Sequence, residues 1–313
     1  MFSPTLAITA KNEDVLYPCI ASPKLDGLRG LIHIEGLRSR SMKPFTNVAT
    51  VDTFSIPEFL GFDGELVVGS PTAKDVFIKS TSGLRTTINN PGAVFYVFDL
   101  HSTEGAFIDR WKILSQRVES LPEHLKSRVV LLEQRWIENL EQLLAYEDQC
   151  LEQGYEGLII RNPQAKYLNG RSGLGKNWVM LKLKRFTDSE AELVGMIELM
   201  VNDNAAQTNE LGNTFHSSHK EGLKPGGMMG ALLLRDLTTG VEFSVGTGFD
   251  HKTRKKYWSE RGYIQYDGVF AGQKVVYYQH QEAKIIKYKY FAIGYDKVPR
   301  FPVYLGERLP VDL

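Results

Sequence analysis

The segment Lys24-Leu25-Asp26-Gly27-Leu28-Arg29 gathers an amine, a carboxylate and a guanidinium within six residues. Leu25 and Leu28 can anchor it while Lys24, Asp26 and Arg29 reach into a cleft, and Gly27 permits a close backbone approach to a ligand or a special dihedral. A lysine acts as a nucleophile only when neutral. From an ordinary pKa near 10.4, deprotonation at pH 7 costs roughly 4–5 kcal/mol unless the surroundings help. Nearby cations help, and so does partial burial. Cations stand further along: Leu181-Lys182-Leu183-Lys184 has a period of two, which puts both lysines on one strand face and both leucines on the other. Between these segments lie Ser39-Arg40-Ser41, with a phosphate-binding guanidinium, and Asp63-Gly64-Glu65, with two carboxylates around a glycine. Phe98-Asp99 ends an apolar run, and Glu156-Gly157-Leu158-Ile159-Ile160-Arg161 opens another with an acid. Each piece alone has a bland reading as a surface carboxylate, a core aromatic or the wet face of an edge strand. Chance does not readily produce all of them in this order.

These side chains need rigid elements behind them. Residues 31–34, 64–68 and 94–98 are apolar, β-rich runs bounded by Gly, Pro, Asn or Asp, and are predicted strands. Residues 139–153 predict a helix, since Asn139 with Gln142 resembles a capping box and Gly154 sits where a C-terminal glycine belongs. After Arg185 the texture changes to strands with glycine-rich turns, at 192–200, 230–235, 241–245, 273–279 and 283–290. Five short strands predict a small barrel of the OB type. The polar stretch 201–227 between the first two reads as a long loop, either functional or disordered. A boundary at 185–188 divides the chain into residues 1–186 and 187–313. The predicted class is α+β: a domain of antiparallel sheets and helices, then a β-barrel.

With 42% hydrophobic and 24% charged residues among 313, the composition is that of an ordinary globular protein with room for two domains. Two cysteines, Cys19 and Cys150, allow neither a disulfide framework nor a zinc ribbon. No signal peptide or membrane-spanning run is visible, so the expectation is a cytoplasmic protein with no membrane partner. Thirty-seven basic residues balance 37 acidic ones. Their distribution is uneven: residues 251–300 hold 11 Lys/Arg against 4 Asp/Glu. Such clustering can form a phosphate-tracking face on a neutral protein, or merely a solvated one.

In this order the motifs resemble those of the nucleotidyltransferase superfamily of DNA ligases, RNA ligases and mRNA capping enzymes. The resemblance runs from about Ala21 to Arg308 and is strongest to the small phage-type ATP-dependent DNA ligases. Gly246-Thr247-Gly248-Phe249 looks like a recurrent DNA-ligase segment, and Arg300-Phe301-Pro302 through Arg308 looks like the ligase C-terminal motif. The resemblance implies an adenylation domain followed by an OB-fold domain. It implies that Lys24 attacks the α-phosphorus of ATP and carries AMP, that Phe98 stacks on adenine, and that Glu65 holds the ribose. Glu65 and Glu156 would seat a divalent metal, Mg2+ or Mn2+, and Lys182 and Lys184 would contact the α-phosphate. Arg29 and Arg40 would grip phosphate, Asp26 would serve the later steps near the 3′ hydroxyl, and Arg300 and Arg308 would orient the leaving pyrophosphate. The AMP would then pass to the 5′ phosphate of nicked duplex DNA before sealing, in replication, repair or recombination.

Two departures stand out. Where many ligases carry Glu or Gln facing the adenine edge, this chain has Ser22, which leaves purine selectivity to backbone groups or makes it looser. Arg308 is followed by Leu309-Pro310 in place of the usual Asp-Lys pair. Only 23 residues precede Lys24, which is too short for an upstream DNA-binding or nicotinamide-recognising domain, so the expected donor is ATP, with DNA gripped by two domains alone. The expected form is a monomer. Expected DNA contacts are Lys252, Arg254, Lys255 and Lys256, on a short helix, and the 201–227 stretch, ordering on the duplex. An RNA ligase or capping enzyme shares the lysine chemistry, but the ligase-like C-terminal motif and the Gly246–Phe249 segment argue against both. A non-catalytic OB-fold DNA-binding protein predicts losses among Lys24, Glu65, Glu156, Lys182 and Lys184, and all five are present.

Overall fold

The computed structural model describes residues 2–204, 206–208, 214–216, 222–259, 264–270, 273–279, 284–291 and 298–308. The chain forms two compact units, Met1–Arg185 and Phe186–Leu313.

Two five-stranded sheets build the first unit. One runs in the order Ile8–Thr9, Met180–Lys184, Gly157–Arg161, Cys19–Pro23, Arg135–Ile137. The other runs Gly36–Ser39, Leu28–His33, Phe62–Val67, Val94–Leu100, Val129–Leu131. Most pairs are antiparallel, as expected, while Ile8–Thr9 and Val129–Leu131 join their neighbours in parallel. In the first sheet Cys19, Ala21, Ile137, Leu158, Ile160, Leu181 and Leu183 pack with Leu143, Tyr146 and Cys150 of the helix Leu140–Glu152. Strict alternation turns the intervening residues to the other face, where Ser22, Ile159 and Lys182 stand level across three strands. The apolar row holds the sheet on its helix, and the polar row is left for chemistry.

Asn139 caps that helix by accepting from the Gln142 backbone N–H at 3.0 Å. The Gln142 side chain accepts from Glu138 N–H at 2.9 Å, one residue earlier than a capping box requires. The helix stops at Gly154, whose φ of +92° suits glycine. Hydrogen bonds from Gly154 N–H to Leu151 O and from Tyr155 N–H to Cys150 O close the turn. In the second sheet a register shift opposite Asp63/Gly64 leaves Phe98 as an extra residue, since Asp63 pairs with Asp99 and Gly64 with Val97. A bulge of this kind re-aims a side chain, here the aromatic singled out by the sequence.

The second unit is a curled sheet in the order Glu242–Val245, Leu223–Asp236, Thr187–Asn202, Gln273–Gln279, Ile264–Phe270. The long Thr187–Asn202 strand also pairs with Ile285–Phe291, which pairs with Arg300–Glu307. Among the described residues this sheet has seven strands against the predicted five, with Ile264–Phe270 and Arg300–Glu307 added. Ala191, Leu232, Leu234, Phe243, Ile286 and Tyr288 fill the core. Among the described residues, closure toward a barrel comes as one parallel bridge, Thr247 with Val303, in place of a continuous ladder. Around that bridge Thr247 Oγ1 donates to Pro302 O at 2.8 Å and Phe249 stacks on Tyr304 at 4.4 Å, so Gly246–Phe249 is held by the C-terminal strand.

The predicted 201–227 loop is strand at both of its ends. The flanking strands continue to Asn202 and resume at Leu223, and Ala206–Thr208 pairs with Thr214–His216. Residues 205, 209–213 and 217–221 lie outside the described residues. Among the described residues, no helix is long and apolar enough to cross a membrane.

Candidate active site

Lys24 follows directly on the Cys19–Pro23 strand. Its N–H donates to Gly157 O at 2.8 Å, and its carbonyl accepts from Glu156 N–H at 3.3 Å, so the two segments are clipped together by backbone. Their side chains meet as well: the Lys24 ammonium pairs with one carboxylate oxygen of Glu156, and Lys184 pairs with the other. Only 5% of the Glu156 side chain is exposed, against 18% for Lys24. Burial alone would raise Glu156, but Lys24 and Lys184 hold its carboxyl below the usual range. Burial lowers Lys182, and the Lys184 and Lys24 charges lower it further. Lys184 is lowered by burial and then by Lys24, against the pull of Glu156. Three ammonium groups therefore feel one another beside a single paired carboxylate.

The second sheet supplies the other wall. Arg29 and Glu65 are direct cross-strand partners. Arg29 reaches diagonally to the fully buried Asp63 with bonds of 2.5 and 2.7 Å, and its guanidinium lies 4.6 Å from the Phe98 ring centroid. Tyr167 Oη donates to the same Asp63 at 2.7 Å. Gly27 permits a close approach, but to protein and not to a ligand: a Cβ there would stand 2.3 Å from Leu66 O. Phe98 packs with Leu25, Val67, Leu132 and Tyr155 in a small apolar cluster. Asp26 joins electrostatically, because its charge raises Glu65 and supports the charged form of Lys184. An amine, several further cations, two separate carboxylates and a half-buried aromatic thus gather in one region of the first unit.

Burial pushes Glu65 up to about 7, overriding the opposing charges of Lys24 and Arg29. The folded protein then keeps a proton that the unfolded chain releases near 4.3. Between these values the fold loses stability as pH rises, and the loss levels off above about 7. Wild type should therefore fall in Tm relative to Glu65→Gln between about pH 5 and about pH 7, with parallel curves contradicting the shift.

Five residues of this network received no role from the sequence: Asp63, Asp99, Arg110, Arg161 and Tyr167. Asp99 is fully buried and accepts from Arg110 at 2.9 and 3.2 Å and from Arg161 at 2.9 Å. Those two guanidiniums hold its carboxyl below the usual range against the effect of burial. Arg161 also lies 5.2 Å from the Phe98 ring. The available signal was an acid closing an apolar strand and an arginine closing another, which requires mutual pairing once both are buried.

A sequence profile of the ATP dependent DNA ligase domain matches residues 7–184, and one of the DNA ligase OB-like domain matches residues 222–308. The chain belongs to the ATP-dependent DNA ligase family. It is 24% identical over 302 residues to a DNA ligase of Haemophilus influenzae, covering 95% of this chain and 89% of that protein. It is 27% identical over 207 residues to a probable DNA ligase of Streptomyces griseus, covering 58% of this chain but only 39% of that relative's length. Among solved structures, the Chlorella virus DNA ligase-adenylate is 29% identical with a TM-score of 0.53, covering 98% of this chain and 99% of that one. A Lig E DNA ligase at 22% identity and a TM-score of 0.68 supports the fold.

Ser22 is buried level with Ile159 and Lys182. Arg40 is exposed in the turn after Gly36–Ser39. Arg300 and Arg308 belong to the second unit; Arg308 donates to Glu190 at 2.5 Å, and Arg300 lies 4.9 Å from the Phe301 ring. On the helix His251–Ser259, Lys252, Lys255 and Lys256 are exposed. Arg254 departs from its expected phosphate-facing role. Its guanidinium donates to the carbonyls of Met229, Gly230 and Gly246 at 3.1, 2.5 and 2.7 Å, tying the helix to the sheet.

Proposed function

We propose that this chain is a DNA ligase that seals nicks in duplex DNA with ATP, through a lysyl-AMP and then an AMP-DNA intermediate. The observation that carries the reading is the clip between Lys24 and Glu156, with Lys184 on the same carboxylate and Lys182 alongside. Lys24 Nζ attacks the α-phosphorus of ATP. The N–P bond forms, the bond to pyrophosphate breaks, and the amine loses its proton. Lys182 and Lys184 neutralise charge that develops on the phosphoryl oxygens, where preorganised cations are most effective. Phe98 stacks on adenine, Glu65 holds the ribose, and Arg29 and Arg40 grip phosphate. The DNA 5′ phosphate then takes the AMP from Lys24. Finally the 3′ hydroxyl, with Asp26 nearby, attacks that phosphorus and expels AMP. Arg300 and Arg308 orient the pyrophosphate in the first step.

Among the described residues, no group of three or more His, Cys, Asp or Glu forms a metal cage. That donor set suits magnesium or manganese in this family, because such ions keep several waters and take one or two carboxylates plus substrate phosphates. Glu65 and Glu156 would hold the ion, which supplies Lewis-acid stabilisation of the transferring phosphoryl group.

For DNA we assign phosphate contacts to Lys252, Lys255 and Lys256, with the 201–227 segment as a second contact, and we take the working form to be a monomer. Backbone grip of this kind is salt-sensitive and mostly independent of sequence. Replacing the three lysines with glutamate should weaken binding to a nicked duplex about tenfold or more and flatten its salt dependence, by roughly one unit of log-log slope per lost contact. An unchanged slope would remove the helix from the interface. Comparing nicked DNA with broken RNA as substrate, and ATP with GTP as donor, decides between this reading and an RNA ligase or capping enzyme. Sealing of nicked DNA with ATP is the expected result; sealing confined to RNA would overturn it.

A further inference from the structure

Gln134 has both polar atoms of its side chain, Oε1 and Nε2, buried and without a hydrogen-bond partner among the described residues. Leu132, two residues earlier, donates its N–H to Val97 O at 2.9 Å, and Arg135, one residue later, pairs with Ala21. Residues 132–135 therefore cross from the strand that carries Phe98 to the strand that leads into Lys24. The ladder ends at Ala21–Arg135, and Ser22 and Gln134 are the next residues beyond it on the two chain segments. Arg135 turns toward the helix side, with its guanidinium 4.1 Å from the Tyr146 ring. If the strand's alternation carries one residue beyond its start, Gln134 faces the side shared by Ser22, Ile159 and Lys182. Leu132, in phase with Gln134, belongs to the apolar cluster that contains Phe98 and Leu25.

Resting on the reading that this cleft takes ATP, we propose that Gln134 recognises the adenine edge, with Oε1 accepting from the 6-amino group and Nε2 donating to N7. A buried donor and acceptor that both lack partners are rare in native proteins, and they point to a group supplied from outside the chain. An amide offers that donor and acceptor side by side, the complement of adenine's amino group and N7. Ser22 carries only a short hydroxyl, and Gln134, just before the adjacent strand, carries the longer amide. Guanine presents acceptors at both position 6 and N7, and an amide carries donors on one atom only. The site should therefore disfavour GTP.

The test measures adduct formation by the full chain with ATP and with purine riboside triphosphate, which lacks the 6-amino group. Wild type and Gln134→Leu are compared, and melting curves establish that the variant is folded. Wild type should lose about tenfold or more in kcat/KM on the analogue, since a lost buried hydrogen bond is of that order. Gln134→Leu should treat the two nucleotides alike, at the level of wild type on the analogue. A residue that only supports the fold would lower both rates and leave their ratio unchanged, which would overturn the proposal. Should Gln134→Leu not fold, Gln134→Asn serves instead, and a preference equal to that of wild type again overturns it. If wild type forms no Lys24 adduct with ATP, the ligase reading itself fails and this inference falls with it.

Discussion

Lys24→Ala loses nick sealing with ATP by at least about a thousandfold, because it removes the amine proposed to carry the covalent nucleotide intermediate. The amine sits at the end of a central strand, fixed by hydrogen bonds between its backbone and that of Glu156 and Gly157, and the alanine variant keeps those bonds. The change therefore removes chemistry without removing architecture. A nick that already carries AMP on its 5′ phosphate bypasses the first two transfers. Its sealing by Lys24→Ala should stay within about tenfold of wild type, since only the 3′ hydroxyl attack remains. The check is a gel assay of both substrates. Equal loss on both would mean that the variant has lost its fold or that Lys24 serves every step. No loss on either would remove Lys24 as the nucleophile.

The second large effect falls on stability. Asp99→Ala should destabilise the Met1–Arg185 unit by about 3–5 kcal/mol, the range for breaking a buried ion pair by removing one partner. Asp99 is fully buried between Arg110 and Arg161, both nearly fully buried themselves. Removing the carboxylate leaves two buried guanidiniums facing each other. Burial without compensation is the dominant cost. Urea unfolding followed by circular dichroism measures it, and a change below about 1 kcal/mol would contradict the assignment. The pH dependence has a definite sign. Because the folded-state pKa of Asp99 is depressed, its contribution is present above the ordinary carboxylate range near 4 and is lost as pH falls through the lower folded value. Asp99→Ala should therefore resemble wild type more closely in strong acid than at neutral pH.

The grouping of the proposed site was largely legible because its residues lie in short motifs tied to strand periodicity. Leu181-Lys182-Leu183-Lys184 states its own geometry: two leucines bury against the helix, and two lysines remain for the cleft. Gly154 likewise marked a helix end that the backbone confirms. The supporting network was less visible. Asp63, Asp99, Arg110, Arg161 and Tyr167 are spread over more than a hundred residues of chain, and only the folded sheet makes their burial and mutual pairing apparent. Arg254 reads as a surface cation within a basic run, yet three backbone carbonyls claim its guanidinium. The 201–227 stretch looked like a loop because Asn, Gly and Ser weaken strand propensity. Cross-strand pairing nevertheless carries the flanking strands well into it. Gln134 had no motif at all; only its position just beyond the end of the Ala21–Arg135 ladder gives it meaning.

The most direct measurement is intact mass after brief incubation with ATP and magnesium. This account predicts one added AMP per chain on wild type, released by acid as expected of a phosphoramide, mapped to the peptide containing Lys24 and absent from Lys24→Ala. An adduct that persists on the alanine variant, or a wild-type chain that takes no AMP, would contradict it.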